Sequence, residues 1–307
     1  MVDQHQLPPG LEPDIHEHGL ASGDRAALAA DIDLAWELFE AIAAEVDPDA
    51  PSRKAGWTAR ELIARLGDWE FARQLEDLVA EAHDGDADYF DADEHDEQIR
   101  TATQGLPYEE IQESLSTARA KIAGWLASDE PDIWALVHTS SPIGPLPLLT
   151  VLNAMTYQMC IAALDVEQCG GTVPDELLRV GLLALIDTTG ALAGRTHVTG
   201  SFMAVTPDGV FGVGSRGGHW RTRPLEEDPH MGPAVVAPAR VMIDATSGRG
   251  NVGHMYRTGA LHVRDIGGMV RLAPVLEGVP GIPPMGAIGR AMTVVDAVGG
   301  LFGRLRH

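Results

Sequence analysis

Gly56–Glu70, GWTARELIARLGDWE, reads as the opening of an amphipathic helix. Thr58 is an N-cap residue, and Glu61 stands three positions on, where it can reach back and complete a capping box. Behind that cap, Leu62, Ile63, Leu66 and Trp69 recur at helical spacing and form one apolar face. Arg65 sits on the same face, where a polar side chain stands out. Leu75, Leu78 and Val79 extend the stripe, so the pattern predicts one helix from Thr58 to about Ala82.

Working outward, three more segments carry the same period. The first spans about Asp24–Val46, with Leu28, Ile32, Trp36, Phe39 and Ile42 on its stripe. Another spans Tyr108–Leu126. The last starts near Pro147, ends by Gln168 and is closed by Gly170 and Gly171. On that last helix, Gln158, Ala162 and Asp165 share one face. Four amphipathic helices make a bundle. The acidic stretch His83–Glu97 reads as a mobile loop, because like charges with few apolar anchors favour disorder.

The texture changes after Val173. A helix over Asp175–Leu192 leads into alternating runs at His197–Val205, Gly209–Val213, His219–Thr222, Arg240–Asp244 and Ala260–Val263. Gly and Pro separate these runs as they separate strands. Met269–Leu276 and Ile288–Leu305 then read as helices. The resulting organisation is α+β in two domains: a flexible tail over 1–20, a four-helix bundle over 21–172 and an α+β layer over 173–307.

Charge is divided unevenly along the 307 residues, whose formal net is −23. Residues 1–170 hold 34 acids against 9 Lys and Arg, whereas 171–307 hold 11 against 13. Such an acidic half repels nucleic-acid phosphate and anionic membrane, so neither is an expected partner. No run of about 18 or more uncharged apolar residues is present that reads as a convincing membrane span. The N-terminal MVDQHQLPPGLEPDIHEHGL lacks the basic and apolar regions of a signal peptide, which makes the cytoplasm the expected location. Cys160 and Cys169 are too few for a disulfide framework and read as free thiols. Lysine occurs only at Lys54 and Lys121, a bias that fits GC-rich coding.

The motif-like stretches reduce to plain structure. GRGNVG, Gly248–Gly253, matches a dinucleotide fingerprint, but Gly259 follows too soon for the helix that must meet the pyrophosphate. It reads as a glycine-rich turn. Aligned to a calcium loop from Asp84, the acidic stretch puts Tyr89 where Gly is required and His95 where a bidentate Glu belongs. His16 and His18 form an H-x-H pair in the tail, which reads as at most a weak transition-metal site.

The Trp57–Thr58 cap followed by its helix, with the Gln158–Asp165 face, resembles the DinB-like, mycothiol-dependent maleylpyruvate isomerase family. The stretch ATSGRGNVGHMYRTGALHVRDIGGMVRLAPVL, Ala245–Leu276, is similar to its sterol-carrier-like C-terminal domain. The resemblance implies a DinB-like bundle followed by a sterol-carrier-like α+β domain. It also implies a divalent metal, usually zinc, held by a His on the second helix and a Glu and a His on the fourth. Here those positions carry Arg65, Gln158 and Ala162. Arg cannot deprotonate to ligate, Ala has no donor and a lone Gln carbonyl is a poor zinc ligand. Hence no metal and no resident cofactor are expected, with mycothiol or a similar thiol possible by resemblance.

The implied function is that of a metal-free relative that binds or transforms a small organic molecule in the cleft between bundle and C-terminal domain. If it is an enzyme, isomerisation or thiol-dependent transfer is the expected type. Arg65, Gln158 and Asp165 are the candidate catalytic groups, with Arg65 expected inside the bundle bonded to Asp165, Gln158 or both. Trp57, Trp69, Arg221 and Arg223 are candidate substrate contacts, the two arginines as an anion clamp. The alternative is a non-catalytic protein whose sterol-carrier-like half holds an apolar ligand or a protein partner. The sequence leaves the oligomeric state open.

Overall fold

The structure is a computed structural model that describes residues 7–277. The chain divides into two compact units, one of residues 26–181 and one of residues 7–25 with 182–277. The helix expected over Ile288–Leu305 lies outside the described residues.

In the first unit the expected helices are present, with one interruption. They are α1 (Arg25–Glu45), α2 (Ala59–Ala64), α3 (Leu75–Asp84), α4 (Ala92–Ala102), α5 (Tyr108–Ala127) and the short α6 (Pro131–Trp134). A two-stranded ribbon, β1 (His138–Thr139) with β2 (Leu146–Pro147), then leads into α7 (Leu148–Val166). The capping box is formed: Thr58 Oγ1 accepts from Glu61 N–H at 3.4 Å, and Thr58 N–H donates to Glu61 Oε2 at 2.7 Å. Trp36, Phe39, Ile63, Ile111, Leu115 and Tyr157 fill the core at 1% exposure or less.

The single helix expected from Thr58 to Ala82 is two helices. After Arg65 the chain turns against α5, where Ser114 Oγ donates to Asp68 O at 2.8 Å. A side chain on Gly67 would lie 2.4 Å from that hydroxyl, so only glycine allows this approach. Trp69, read as part of the helical face, instead donates its indole N–H to Ala64 O at 2.7 Å and satisfies the end of α2. The acidic loop is also half helix. Asp91 caps α4 by accepting from Asp93 N–H and Glu94 N–H at 2.9 and 3.3 Å, and Asp96 and Ile99 are buried.

The helix α8 (Asp175–Arg195) belongs to the first unit up to Gly181 and to the second from Leu182. The second unit continues with β3 (Gly200–Thr206), β4 (Gly209–Arg216), β5 (His219–Leu225) and β6 (Ala234–Val236). It ends with α9 (Ala239–Thr246), α10 (Val252–Thr258), β7 (His262–Arg264), α11 (Ile266–Arg271) and α12 (Ala273–Glu277). The sheet order is β5-β4-β3-β6-β7, with β3 and β6 parallel and the other neighbours antiparallel. Arg240–Asp244, read as a strand, lies in α9: Val, Met and Ile in a short apolar run suit either element, and Pro238 sets a helical start. GRGNVG therefore joins two helices, and Asn251 caps α10 by accepting from His254 N–H at 2.8 Å.

Of the segment expected as a flexible tail, the described part from Leu7 onward is a strap on the second unit. Leu11 is wholly buried with Met203 and Ala234. Trp220 N–H donates to Glu17 O at 3.1 Å, and Gly19–Ser22 forms a turn of 3-10 helix. Both α7 with its 3-10 extension and α8 are long and apolar enough to cross a membrane, yet 83% and 89% of their apolar windows are buried within the fold. That is the signature of core helices.

Candidate functional site

Arg65 ends α2 and turns inward, with its side chain only 9% exposed. One guanidinium nitrogen, Nη2, donates to Gln158 Oε1 of α7 at 2.8 Å. The other, Nη1, donates to Asp96 Oδ2 of α4 at 3.2 Å. Lys54 Nζ stands 3.6 Å from the same carboxylate oxygen and 3.7 Å from the centre of the Trp57 ring. Two cations thus converge on one carboxylate whose side chain is 8% exposed. The planar guanidinium bridges a carboxylate and an amide from two helices, which a lysine could not do with fixed geometry.

Beside this cluster is His95, the neighbour of Asp96 on α4. Burial pushes its imidazole below the ordinary value, and the charges of Arg65 and Arg73 act in the same direction against the pull of Asp96. The ring is therefore neutral at pH 7 and can accept a proton. The patch combines a fixed positive charge, a carboxylate and a neutral imidazole in one largely dry place. Gln158 Nε2 has no hydrogen-bond partner among the described residues.

Of the residues singled out from sequence, Arg65, Gln158 and Trp57 fall in this patch. Asp165 is 1% exposed on α7, and its backbone carbonyl accepts from Arg53 N–H at 2.8 Å. Arg65 is bonded to Asp96, with Lys54 and His95 near it, and sequence reading missed all three as site residues. The available signal was Asp91 as an N-cap with acids behind it, which would have turned the loop into a helix with Asp96 and Ile99 on one face. Trp69 lies outside the cluster and stacks on Phe71, ring centres 5.7 Å apart.

Arg221, read with Arg223 as an anion clamp, is paired within the chain. Arg221 Nε donates to Glu17 Oε1 at 2.7 Å and its Nη2 to Asp14 at 3.0 Å. The strap's own carboxylates thus take that charge. Arg223 is exposed, and its Nε donates to Pro224 O at 3.4 Å.

The metal that the family resemblance implies does not fit these residues. Gln158 Oε1 already accepts from a guanidinium, and Arg65 occupies the space with a cation. Ala162 is buried and offers no donor atom. Among the described residues no three His, Cys, Asp or Glu side chains converge on one point. Cys160 does not substitute: it is fully buried, donates to Leu177 O at 2.8 Å, and burial pushes its thiol up, away from the thiolate.

A crystal structure of a histidine-to-alanine variant of the mycothiol-dependent maleylpyruvate isomerase matches this chain with a TM-score of 0.50 and 14% identity. The match covers 78% of this chain and 92% of that one. This chain is a distant fold relative of that isomerase. The unsubstituted isomerase gives the same coverage, with 15% identity and a TM-score of 0.48. No family model and no curated protein matches the chain. At this distance the likeness to the isomerase extends to the fold alone.

Proposed function

We propose that the chain is a metal-free relative of the mycothiol-dependent maleylpyruvate isomerase that binds or transforms a small organic molecule at the Arg65 patch of its helical unit. One observation carries this reading. Where the resemblance places metal ligands, a buried guanidinium is held between Asp96 and Gln158. A resident cation supplied by the chain can polarise an oxygen of a bound molecule as a metal would, without a vacant coordination site. Neutral His95 beside it offers a proton acceptor. The thiol partner, mycothiol or a similar one, comes from the resemblance. Two free cysteines accord with a reducing cytoplasm as the place of action.

The alternative, an apolar ligand carried by the second unit, finds less support. Leu11 and the strap's carboxylates already occupy its Met203–Ala234 face and Arg221. Native mass spectrometry of the full chain with mycothiol, maleylpyruvate and oleate separates the two readings. The expected outcome is a 1:1 complex with the thiol or the organic acid that Arg65→Met weakens. Saturation by oleate alone, indifferent to Arg65→Met, would replace this proposal with the alternative.

A further inference from the structure

Gly212 and Gly214 alternate along β4, an inner strand of the second unit's sheet, on the face that the strap crosses. A side chain at Gly214 would lie 2.0 Å from Leu11 O, and one at Gly212 would lie 2.9 Å from a Leu11 methyl. Glycine weakens a strand interior and marks a place where another backbone approaches closely. The pair forms a trough, and an extended chain lies in it. Strand pairing puts Arg221 opposite Gly214 and Arg223 opposite Gly212, while Arg216 follows Gly214 by two residues. All three arginines therefore rise from the same face as the trough. Leu11 seats beside them on Met203 and Ala234.

The strap matches this face in kind. Behind the Leu11 anchor, Glu12 bonds Arg216, Asp14 bonds Arg221 at 3.0 Å and Glu17 bonds Arg221 at 2.7 Å. Pro8, Pro9 and Pro13 restrict the chain before it docks, which lowers the entropy lost on binding. One apolar seat fixes the register, and rim charges select the sign of what enters. The hold on this end is modest. Glu12 and Asp14 are 56% and 86% exposed, and ion pairs with such acids contribute little. Backbone hydrogen bonds fasten the strap further along, from Trp220 N–H to Glu17 O and from Leu20 N–H to Asp187. The Pro8–Asp14 end can therefore lift while the remainder stays in place.

We propose that this sheet face is a docking site for an extended acidic segment of another polypeptide, anchored by one leucine, with the strap as its resident occupant. Lifting the Leu11 end frees the trough and the arginines together, and the incoming segment takes the same seat and the same charges. An uncharged apolar guest would fill the leucine seat but leave Arg216 and Arg221 without the carboxylates they lose. The site is independent of the chemistry at Arg65.

Fluorescein-labelled LPPGLEPDIHE, the sequence of Leu7–Glu17, tests the proposal by anisotropy on the full chain. The resident strap competes at the millimolar effective concentration of a short tether, so the unaltered chain should half-saturate at about that level. Leu11→Ala in the chain loosens the strap and should tighten the peptide at least about tenfold. A peptide with glutamine for its three acids should bind at least about tenfold more weakly, as should the labelled peptide to a Leu11→Ala chain that also carries Arg216→Glu and Arg221→Glu. Should Leu11→Ala fail to fold, the acidic and glutamine peptides on the unaltered chain decide alone. Binding confined to the Leu11→Ala chain, with none to the unaltered chain at several millimolar, would make the strap a permanent part of the fold and overturn the proposal. Absence of binding to both chains would overturn it as well. A glutamine peptide that binds as tightly, or a single-stranded oligonucleotide that matches the acidic peptide on the Leu11→Ala chain, would overturn the class of partner.

Discussion

Arg65 was legible as an anomaly because a charged side chain interrupts an apolar stripe, and Gln158 because it shares a helical face with Asp165. Asp96 was harder to read: the Asp91 cap could have placed it on an inward helical face, but nothing local names a partner 31 residues away. The arrangement predicts a stability cost for breaking the Arg65–Asp96 contact. Arg65→Ala leaves Asp96 buried with Lys54 as its remaining cation, and should destabilise the unit by about 3–5 kcal/mol in urea unfolding. Combined with Asp96→Ala, the loss should be smaller than the two single losses summed; strict additivity would show that the pair contributes no coupling. The same guanidinium predicts the metal content. Elemental analysis of untagged protein, dialysed against a weak chelator, should find well under one equivalent of zinc. A full equivalent that disappears on changing Arg65 or Gln158 would mean that the side chains rearrange to admit a metal.

At the scale of elements, periodicity located α1, α5, α7 and α8 nearly to the residue, because each buries a continuous stripe. It failed where tertiary contacts overrule the local pattern. The stop of α2 is set by Ser114 from another helix, and α4 is held by Asp96 and Ile99 turning inward from an otherwise acidic run. Hydrogen exchange should therefore divide the acidic stretch, with amides from Asp96 to Ala102 protected and those of Gly85–Ala87 among the fastest. Uniformly fast exchange from His83 to Glu97 would return the stretch to a loop.

The strap is the other element that local reading missed. It is fastened at Asp187 of α8, whose Oδ1 accepts from Leu20 N–H at 3.0 Å and from Trp220 Nε1–H at 3.2 Å. Gly19 passes so close that a side chain there would lie 2.0 Å from Asp187 Oδ1. Burial pushes Asp187 up to about 6, and the bonds from Leu20, Thr222 and Trp220 hold the rise back. A carboxyl raised in the folded state contributes stability that is full below its unfolded value, near 3.9, and lost as pH rises through the folded value. Unfolding free energy should carry a component that falls between pH 4 and 6.5, about 3 kcal/mol in all. Asp187→Asn keeps the Oδ1 acceptor and should remove that component; an unchanged pH profile would show that Asp187 does not titrate there.

Over the whole molecule, what the sequence conveyed best was the coarse plan: helices first, then strands with helices, with acidity confined to the first part. That acidity has a measurable consequence. The 34 acids of residues 1–170 outnumber their 9 cations so far that most carboxylates cannot be paired. Pairs do exist, such as Arg119 with Asp33 and Glu40, both at 2.8 Å, but Arg119 is 26% exposed and such pairs contribute roughly 0–1 kcal/mol each. Salt weakens these attractions and the repulsions together. The sign of the net effect follows from which are more numerous, and the repulsions are. Raising sodium chloride from about 10 mM to 150 mM shortens the screening length from about 30 to 8 Å, which removes repulsion across the surface while contacts below 4 Å persist in part. Calorimetry at pH 7 should therefore show the melting temperature rising with salt over that range and levelling beyond it. A fall would mean that the few ion pairs, including the buried Arg65–Asp96 contact, outweigh the surplus charge, and that the acidic surface is organised more tightly than its composition implies.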